Sequence, residues 1–211
     1  MRRKLVSFIG MDGTGKTTSA KVVKRYLENK GLRCKYIWFP YKPHLIFSYM
    51  AVGVAWLLLG RKRPIDKYIP KNRALLSVWL LSMLFDYSLY IFCRILPNLL
   101  KGILVCDRYV YDVVVRLKFF GALDKKLVKL LLAITPRPDL IFLLDAPPKV
   151  ALKRKKEETL AYYVLQRKLY TEILNSINLD CIVIDTNKNR YETNKEIRQH
   201  VDLLVDERSE V

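Results

Sequence analysis

A glycine-rich loop near the start of the chain constrains the fold more than any other feature of the sequence. Residues 10–17 read Gly-Met-Asp-Gly-Thr-Gly-Lys-Thr and match the pattern G-x-x-x-x-G-K-[ST] in full. At average glycine usage, a chance match in a chain of this length has odds on the order of one per cent. The motif lies between the apolar run Leu5 to Ile9 and a stretch with helical spacing, Thr17 to Lys30. We therefore predict a strand, a tight loop and a helix, in that order.

The same motif predicts what the loop binds. Glycines let successive backbone N–H groups face a chain of phosphates, and the helix that begins near Lys16 adds partial positive charge at its N-terminus. In such loops the lysine reaches the terminal phosphates and the next hydroxyl holds Mg²⁺. We therefore expect ATP and Mg²⁺ to bind here. The predicted ATP-binding residues are Gly10, Met11, Asp12, Gly13, Thr14, Gly15, Lys16, Thr17 and Thr18.

The rest of the chain alternates between short apolar runs and longer helical stretches. Three of these runs, Ile103 to Cys106, Leu140 to Leu144 and Cys181 to Ile184, are continuous and apolar, the pattern of a strand that is covered on both faces. Five strands that alternate with helices imply an α/β fold, with a five-stranded parallel sheet and helices on both faces. The predicted strands are Leu5 to Ile9, Cys34 to Phe39, Ile103 to Cys106, Leu140 to Leu144 and Cys181 to Ile184. The later helical stretches are Val110 to Phe120, Lys125 to Ala133, Lys149 to Asn175 and Thr193 to Val205.

Length and cysteine usage favour one domain in a reducing compartment. The 211 residues suffice for a single domain, 1–211, that buries its core without disulfides or structural metal. The four cysteines form no C-x-x-C pair and lie mostly in apolar runs. The first apolar run is too short for a signal peptide. We therefore expect a cytoplasmic protein, with a frayed tail from Asp206 to Val211.

Two long apolar segments raise the question of a membrane. Leu45 to Leu59 is shorter than the roughly 20 residues that a spanning helix needs. Ala74 to Leu100 is long enough, but it contains Asp86 and Arg94. We therefore expect no spanning helix. Contact with a membrane surface and burial in a dimer interface both remain open as uses of this apolar surface.

Two charged clusters are placed to act on a bound phosphate. Asp107-Arg108-Tyr109 follows the third predicted strand, and the carboxyl ends of parallel strands form the ligand-binding edge of such a sheet. An acid there can serve Mg²⁺ and an arginine can hold a phosphate, although a surface salt bridge is the simpler alternative. The basic run Lys153 to Lys156 predicts a lid, about 149–160, that closes over the transferring phosphoryl group. A solvated basic helix face is the alternative for that run.

Four elements of the sequence occur in a specific order: the loop 10–18, Phe39 to Lys42, Asp107 to Tyr109, and Arg137 through Asp145 to Arg154. In order and spacing they resemble the thymidylate kinase family over nearly the whole chain. The loop is similar to that family's G-x-D-G-x-G-K-T-T, and the second element is similar to F-P-x-R. The third resembles D-R-Y/H/F, and the fourth resembles R-P-D-L…L-D…K-R.

The resemblance implies a P-loop kinase fold, ATP- and Mg²⁺-dependent phosphorylation of dTMP, and a homodimer packed through long apolar helices. It implies nucleotide substrates and no nucleic-acid partner. The catalytic residues would be Lys16, Asp107 and Arg154, with Thr17 and Asp107 serving the metal. The substrate-binding residues that it implies would be Asp12, Lys42, Arg108 and Tyr109. Phe85, Asp112 and Arg116 are further candidates for substrate binding, at positions where the chain departs from the family.

The chain departs from the family pattern mainly where the acceptor base is recognised. The family continues its third element with a serine and then a Tyr-Gln pair, where this chain has Asp112, Arg116 and Leu117. The family's base-stacking phenylalanine is followed by an arginine one turn later, whereas Phe85 is followed by Leu89. Buried charges need partners, so if Asp112 or Arg116 faces the acceptor it should meet polar groups there.

Two other functions remain open at this point. A related phosphotransferase could act on another acceptor, such as a lipid-linked or sugar species reached at a membrane surface, as the apolar segments suggest. The net charge of +18 also suggests a nucleic-acid-binding NTPase, although the chain has no nucleic-acid recognition motif.

Overall fold

Five strands and nine α-helices alternate along the part of the chain described by the computed structural model, residues 3–40, 46–59 and 73–206. The strands are β1 Lys4–Ile9, β2 Cys34–Trp38, β3 Ile103–Asp107, β4 Leu140–Asp145 and β5 Ile182–Asp185. The helices are α1 Lys16–Asn29, α2 Ile46–Leu59, α3 Arg73–Tyr90, α4 Leu96–Leu99, α5 Val110–Phe119, α6 Lys125–Ile134, α7 Pro148–Arg154, α8 Leu160–Ser176 and α9 Arg190–Asp206. A π-helical turn, Ile91–Ile95, joins α3 to α4.

The strands form one sheet in the order β2-β3-β1-β4-β5, and every neighbouring pair is parallel. This order puts β1 at the centre, with β3 and β4 on either side. Because Phe8 pairs with Asp107 and Ile9 pairs with Leu143, β3 ends beside the end of β1, and β4 continues two residues further. The loop after β1 therefore begins beside the last residue of β3. The predicted α/β fold, with a five-stranded parallel sheet between helices, is confirmed.

The two faces of β1 supply two separate parts of the core. Leu5 and Ile9 pack into a cluster with residues of α3, α5, α6 and α8. Val6 and Phe8 point the other way and pack with residues of α1 and α9. Successive side chains of a strand alternate between faces, so a strand covered on both sides must be apolar at nearly every position. That requirement explains the run Leu5 to Ile9 from which the strand was predicted, in which Ser7 is the one polar residue.

The second long apolar segment forms α3, the π-helical turn and α4. By length and composition, this stretch, Arg73–Leu99, is the one helix among the described residues that could cross a membrane. One side of it lies in the core, where Trp79, Met83 and Tyr87 are almost fully buried. Asp86, a charged residue within this apolar segment, has a structural role. Its carboxylate accepts hydrogen bonds from the backbone N–H groups of Phe47 and Ser48, at 3.0 and 2.8 Å, and so caps the first turn of α2.

The stretch Lys149 to Asn175, which we predicted as one helix, is divided into α7 and α8. Residue Lys155 has an extended backbone conformation, and Thr159 then caps α8 by accepting a hydrogen bond from the N–H of Tyr162 at 3.3 Å. The break falls inside the predicted lid. Residues 207–211 of the predicted frayed tail lie outside the described residues.

Candidate active site

The glycine-rich loop connects β1 to α1 and lies against the neighbouring strand and helix. A Cβ atom on Gly13 would lie 2.7 Å from the carbonyl oxygen of Ala151 in α7, and one on Gly10 would collide with the carbonyl oxygen of Leu144 in β4. Both glycines also have positive φ angles, 81° and 134°. Glycine is required at these two positions because the loop approaches the backbone of its neighbours too closely for a side chain. The loop is therefore held in a tight turn at the N-terminus of α1.

Lys16 is the first residue of α1, and its ammonium group lies inside the loop. Nζ donates hydrogen bonds to the carbonyl oxygen of Gly10, at 2.7 Å, and to that of Met11. Burial and the nearby charge of Arg108 lower the pKa of Lys16 to about 7. A lysine with few solvent contacts and a lowered pKa gains free energy when an anion reaches it. The lysine predicted from the motif thus lies where a phosphate bound by the loop would meet it.

The two predicted metal residues, Thr17 and Asp107, are in contact, and Asp107 lies at the end of β3. Its Oδ2 accepts a hydrogen bond from the Thr17 hydroxyl at 2.6 Å and a second from the Tyr36 hydroxyl at 2.9 Å. Its Oδ1 is buried and has no hydrogen-bond partner among the described residues. A buried carboxylate oxygen without a donor is costly unless a cation or its bound water satisfies it. A hard oxygen ligand beside a phosphate loop suits Mg²⁺, so these residues fit the predicted metal.

Arg108 is held between two carboxylates directly beside the loop. Its guanidinium forms an ion pair with Asp12 of the loop and a longer one, at 3.4 Å, with Asp112. Its backbone has a φ of 70°, a strained conformation for a residue with a side chain. Burial raises the pKa of Asp12, but the positive charges of Arg108, Lys16 and Lys155 outweigh this and lower it overall. The Asp12 carboxylate therefore stays ionised next to the cations of the site.

Asp112 braces this arrangement from inside the protein. Its Oδ2 accepts a hydrogen bond from the backbone N–H of Tyr109 at 2.9 Å, at the start of α5. Its Oδ1 accepts one from the Tyr170 hydroxyl at 2.6 Å, and the same oxygen faces Arg108. Burial raises the pKa of the Asp112 carboxyl. Because protein donors already satisfy both oxygens, Asp112 acts on the site by orienting Arg108.

Arg154, the predicted lid arginine, lies at the end of α7 and reaches the loop that follows β5. Its guanidinium donates a hydrogen bond to the carbonyl oxygen of Thr186 at 2.8 Å. It lines a cavity of about 150 Å³ next to the phosphate loop, together with two further cations, Lys188 and Arg190. The other residues that line this cavity are Gly13, Thr14, Gly15, Thr18, Ser19, Thr186, Thr193 and Asn194. Three positive side chains, Arg154, Lys188 and Arg190, therefore lie on one side of the loop.

The remaining predicted substrate residues are placed differently. Tyr109 is buried in the core, where its hydroxyl donates to the carbonyl oxygen of Pro136 at 2.6 Å. Arg116 lies on α5 with its guanidinium over the ring of Phe120, at 5.1 Å from the centroid. Phe85 is 56% exposed on the outer side of α3 and packs edge-on against a ring of α2. The structure therefore does not bring Phe85 to the loop, because Tyr87 is the aromatic residue of that turn that points inward.

Lys42 lies outside the described residues, since the structure describes nothing between residues 40 and 46.

Three polar residues of the site were missed by the sequence analysis. Tyr36 and Tyr170 donate hydroxyl hydrogen bonds to Asp107 and Asp112, and the side chain of Gln166 accepts a hydrogen bond from the backbone N–H of Asp12 at 3.2 Å. Gln166 and Tyr170 are four residues apart on α8 and both are buried. A polar pair on the inward face of a helix was a signal that could have pointed to the site. Tyr36 gave no comparable signal, because tyrosine is common in strands.

Comparison with known proteins identifies the family. The family model described as thymidylate kinase matches residues 65–197, more than half of the chain. The thymidylate kinase of Carboxydothermus hydrogenoformans is 30% identical over 74% of this chain and 72% of its own length. The probable thymidylate kinase 1 of Saccharolobus solfataricus is 28% identical over 90% of this chain and 92% of its own.

A solved structure supports the fold independently. The crystal structure of a thymidylate kinase from Ehrlichia chaffeensis superposes with a TM-score of 0.61, and the match covers 94% of this chain and 98% of that one. The sequences are 18% identical, so this likeness bears on the fold alone. Taken with the relatives in sequence and the family model, it leads to one conclusion. The chain belongs to the thymidylate kinase family.

Proposed function

We propose that this protein transfers the terminal phosphate of ATP to a nucleoside monophosphate, dTMP, with Mg²⁺ as cofactor. One observation carries the proposal: Asp12 of the phosphate loop forms an ion pair with Arg108 at the end of β3. The loop and Lys16 form a site for the phosphates of a donor. Arg108 offers a second anion site across the Asp12 carboxylate. Two phosphate sites on either side of one carboxylate suit transfer between two phosphorylated molecules better than they suit hydrolysis.

On the donor side, the loop N–H groups would cradle the phosphates while Lys16 neutralises the terminal ones. Thr17 and Asp107 would hold Mg²⁺, whose positive charge stabilises negative charge on the phosphoryl group during transfer. Their side chains are already hydrogen-bonded to each other at 2.6 Å. The protein therefore spends little free energy on ordering these groups when the metal binds.

On the acceptor side, Arg108 would hold the phosphate of the monophosphate. The ion pairs with Asp12 and Asp112 fix the direction of the Arg108 guanidinium. A flexible arginine would have to be ordered when the phosphate binds. Asp12 would also accept a hydrogen bond from the sugar of the acceptor. The base would then lie toward Arg116, whose guanidinium is a donor for carbonyl oxygens such as those of thymine.

Arg154 would supply the catalytic cation from the lid. A short break separates α7 from α8, and we propose that the basic end of α7 moves relative to the loop about this break. The hydrogen bond from Arg154 to Thr186 holds the guanidinium beside the phosphate loop before closure. Movement of this side chain onto the transferring phosphoryl group would stabilise its charge and exclude water.

The test is an acceptor panel with purified protein, ATP and MgCl₂. We expect ADP and dTDP to form in equal amounts from dTMP, with slower turnover of dUMP and other monophosphates. Lys16→Ala should abolish transfer while the protein stays folded by circular dichroism. Turnover of a sugar or lipid-linked acceptor in place of every monophosphate would replace this proposal. ATP hydrolysis stimulated by RNA or DNA, with no phosphorylated product, would replace it with the NTPase alternative.

We also propose that the protein is a cytoplasmic homodimer. The outer side of α3 and the π-helical turn that follows it carries a row of exposed apolar residues spaced three or four apart, which a second copy of the chain would cover. These residues are Val78, Leu81, Phe85, Leu89 and Phe92. The spacing is that of a helix packing on a helix, which favours a second protein surface over a lipid surface.

A charge placed in this row tests the dimer. Leu81 and Leu203 are each 63% exposed, Leu81 on α3 and Leu203 on α9. We expect sedimentation velocity to find a dimer for the wild type and for Leu203→Glu, and a monomer for Leu81→Glu. A wild-type monomer that floats with anionic vesicles, and not with neutral ones, would assign the surface to a membrane instead.

A further inference from the structure

The Tyr36 side chain extends from the edge strand β2 to the carboxylate of Asp107. Strand β2 pairs with β3 so that Trp38 lies opposite Asp107 and Tyr36 lies opposite Val105. Tyr36 is therefore two residues before the partner of Asp107, on the same face of the sheet as Trp38. Its hydroxyl donates to Asp107 Oδ2 at 2.9 Å. The ring also contacts the ammonium group of Lys21, at 6.0 Å from its centroid.

The two oxygens of Asp107 are in unequal surroundings. Oδ2 accepts both hydroxyl hydrogen bonds, from Tyr36 and from Thr17, whereas Oδ1 is buried without a partner in the described part of the chain. Two donors from different elements, β2 and α1, restrict rotation of the carboxylate about its χ2 bond. Hydrogen bonds to a carboxylate are also about twice as strong as those between neutral groups. The pair of hydroxyls thus keeps one particular oxygen available.

We propose that Tyr36 is a positioning residue for the metal site, which orients Asp107 so that Oδ1 serves the Mg²⁺ shell. The inference rests on the proposed role of Asp107 in metal binding. Tyr36 itself touches neither nucleotide nor metal in this account. Thr17 would be drawn toward the metal by its own hydroxyl oxygen, so Tyr36 is the donor that can hold Oδ2 throughout. A residue of this kind acts through another and tunes metal affinity without contributing a ligand.

The experiment is a metal titration of Tyr36→Phe in complex with ATP. The substitution removes only the hydroxyl, because phenylalanine keeps the ring and its contact with Lys21. Mn²⁺ is the probe, and electron paramagnetic resonance counts the bound ion without requiring turnover. We expect Tyr36→Phe to bind Mn²⁺ about tenfold more weakly than the wild type, the lower end of the effect seen for residues that orient a metal ligand. ATP affinity measured in EDTA should stay within twofold.

A matched control is available elsewhere in the chain. Tyr26 on α1 donates its hydroxyl to the carboxylate of Asp202 at 2.7 to 2.8 Å, away from the loop. Tyr26→Phe removes the same kind of hydrogen bond and should leave Mn²⁺ binding unchanged. Mn²⁺ binding by Tyr36→Phe within twofold of the wild type would overturn the proposal.

A double substitution tests whether Tyr36 acts through Asp107. In the Asp107→Asn background, the further change Tyr36→Phe should weaken Mn²⁺ binding by less than about twofold, since the group it orients is gone. An undiminished tenfold loss in that background would also overturn the proposal. That result is the one expected if Tyr36→Phe weakens metal binding only because it weakens folding generally.

The proposed kinase activity is judged separately. A protein that binds Mn²⁺ with ATP in a Tyr36-dependent manner but phosphorylates no monophosphate would refute that function and leave this inference standing.

Discussion

The unusual protonation of Lys16 predicts that nucleotide binding takes up a proton. Burial and Arg108 hold the pKa of Lys16 at about 7 in the ligand-free protein, well below its ordinary value of 10.5. A triphosphate beside the ammonium group favours the charged form and raises the pKa again. At pH 8 about one tenth of Lys16 carries its proton before binding and nearly all carries it afterwards, so binding takes up about 0.9 proton. At pH 6 the uptake falls to about 0.1.

The sign of the pH dependence follows from the same shift. Because the bound state holds more protons than the free state above pH 7, affinity for Mg·ATP falls as pH rises. The loss is about tenfold per pH unit, from pH 7 up to the pKa of the bound state. Below pH 7 both states are protonated at Lys16, and the affinity no longer depends on this group.

Isothermal titration calorimetry of Mg·ATP binding measures the proton uptake directly, from the heats in buffers of different ionisation enthalpy. Lys16→Arg is the control, since a guanidinium stays charged over this range and should show no uptake. Uptake below about 0.2 proton at pH 8 by the wild type, with ATP still bound at the loop, would refute the assignment of Lys16 as a buried, partly deprotonated lysine.

Three further predictions follow from single contacts. Gly13→Ala should destabilise the protein by about 1–3 kcal/mol more than Gly15→Ala in urea unfolding. Both glycines have positive φ, but of the two only Gly13 would bring the new Cβ against a backbone oxygen, at 2.7 Å. Equal losses would count against this reading of the loop. Arg154→Ala should lower kcat by at least about 100-fold with little change in the KM for dTMP, and a fall of less than tenfold would remove it from the catalytic group. Tyr170→Phe should lower the free energy of unfolding by about 1.5–3 kcal/mol, since it removes a hydrogen bond to the buried carboxylate of Asp112. A loss under about 0.5 kcal/mol would contradict the role of Tyr170 in holding Asp112 in place.

The parts of the fold that could be predicted from the sequence are those fixed by local pattern. The loop motif located the first strand and the first helix because its glycines serve a specific backbone geometry. Strands covered on both faces were visible as apolar runs, such as Leu140 to Leu144, which the structure extends by one residue. The division of the stretch Lys149 to Asn175 was missed, because that stretch has no glycine and its prolines precede it.

The arrangement of side chains around the site could be predicted only in part. The proximity of Asp107 to the loop followed from parallel strands sharing an edge. The partners of Asp107 and Asp112 could not be inferred, because Tyr36 and Tyr170 reach them across strand and helix pairings that depend on the spatial order of the elements. Which of Phe85 and Tyr87 faces the core could not be predicted, for a similar reason. Both lie in one turn of α3, and the direction of the core was not fixed until the packing of α2 was known.

The central claim is that a donor site at the loop and an acceptor site at Arg108 adjoin across Asp12. A bisubstrate molecule that joins adenosine to thymidine through a chain of phosphates tests this directly, because it can occupy both sites at once. Calorimetry should find it bound at least about 100-fold more tightly than ATP or dTMP alone. Arg108→Ala should abolish that gain while leaving ATP affinity within a few fold. A bisubstrate molecule bound no more tightly than ATP would contradict the claim.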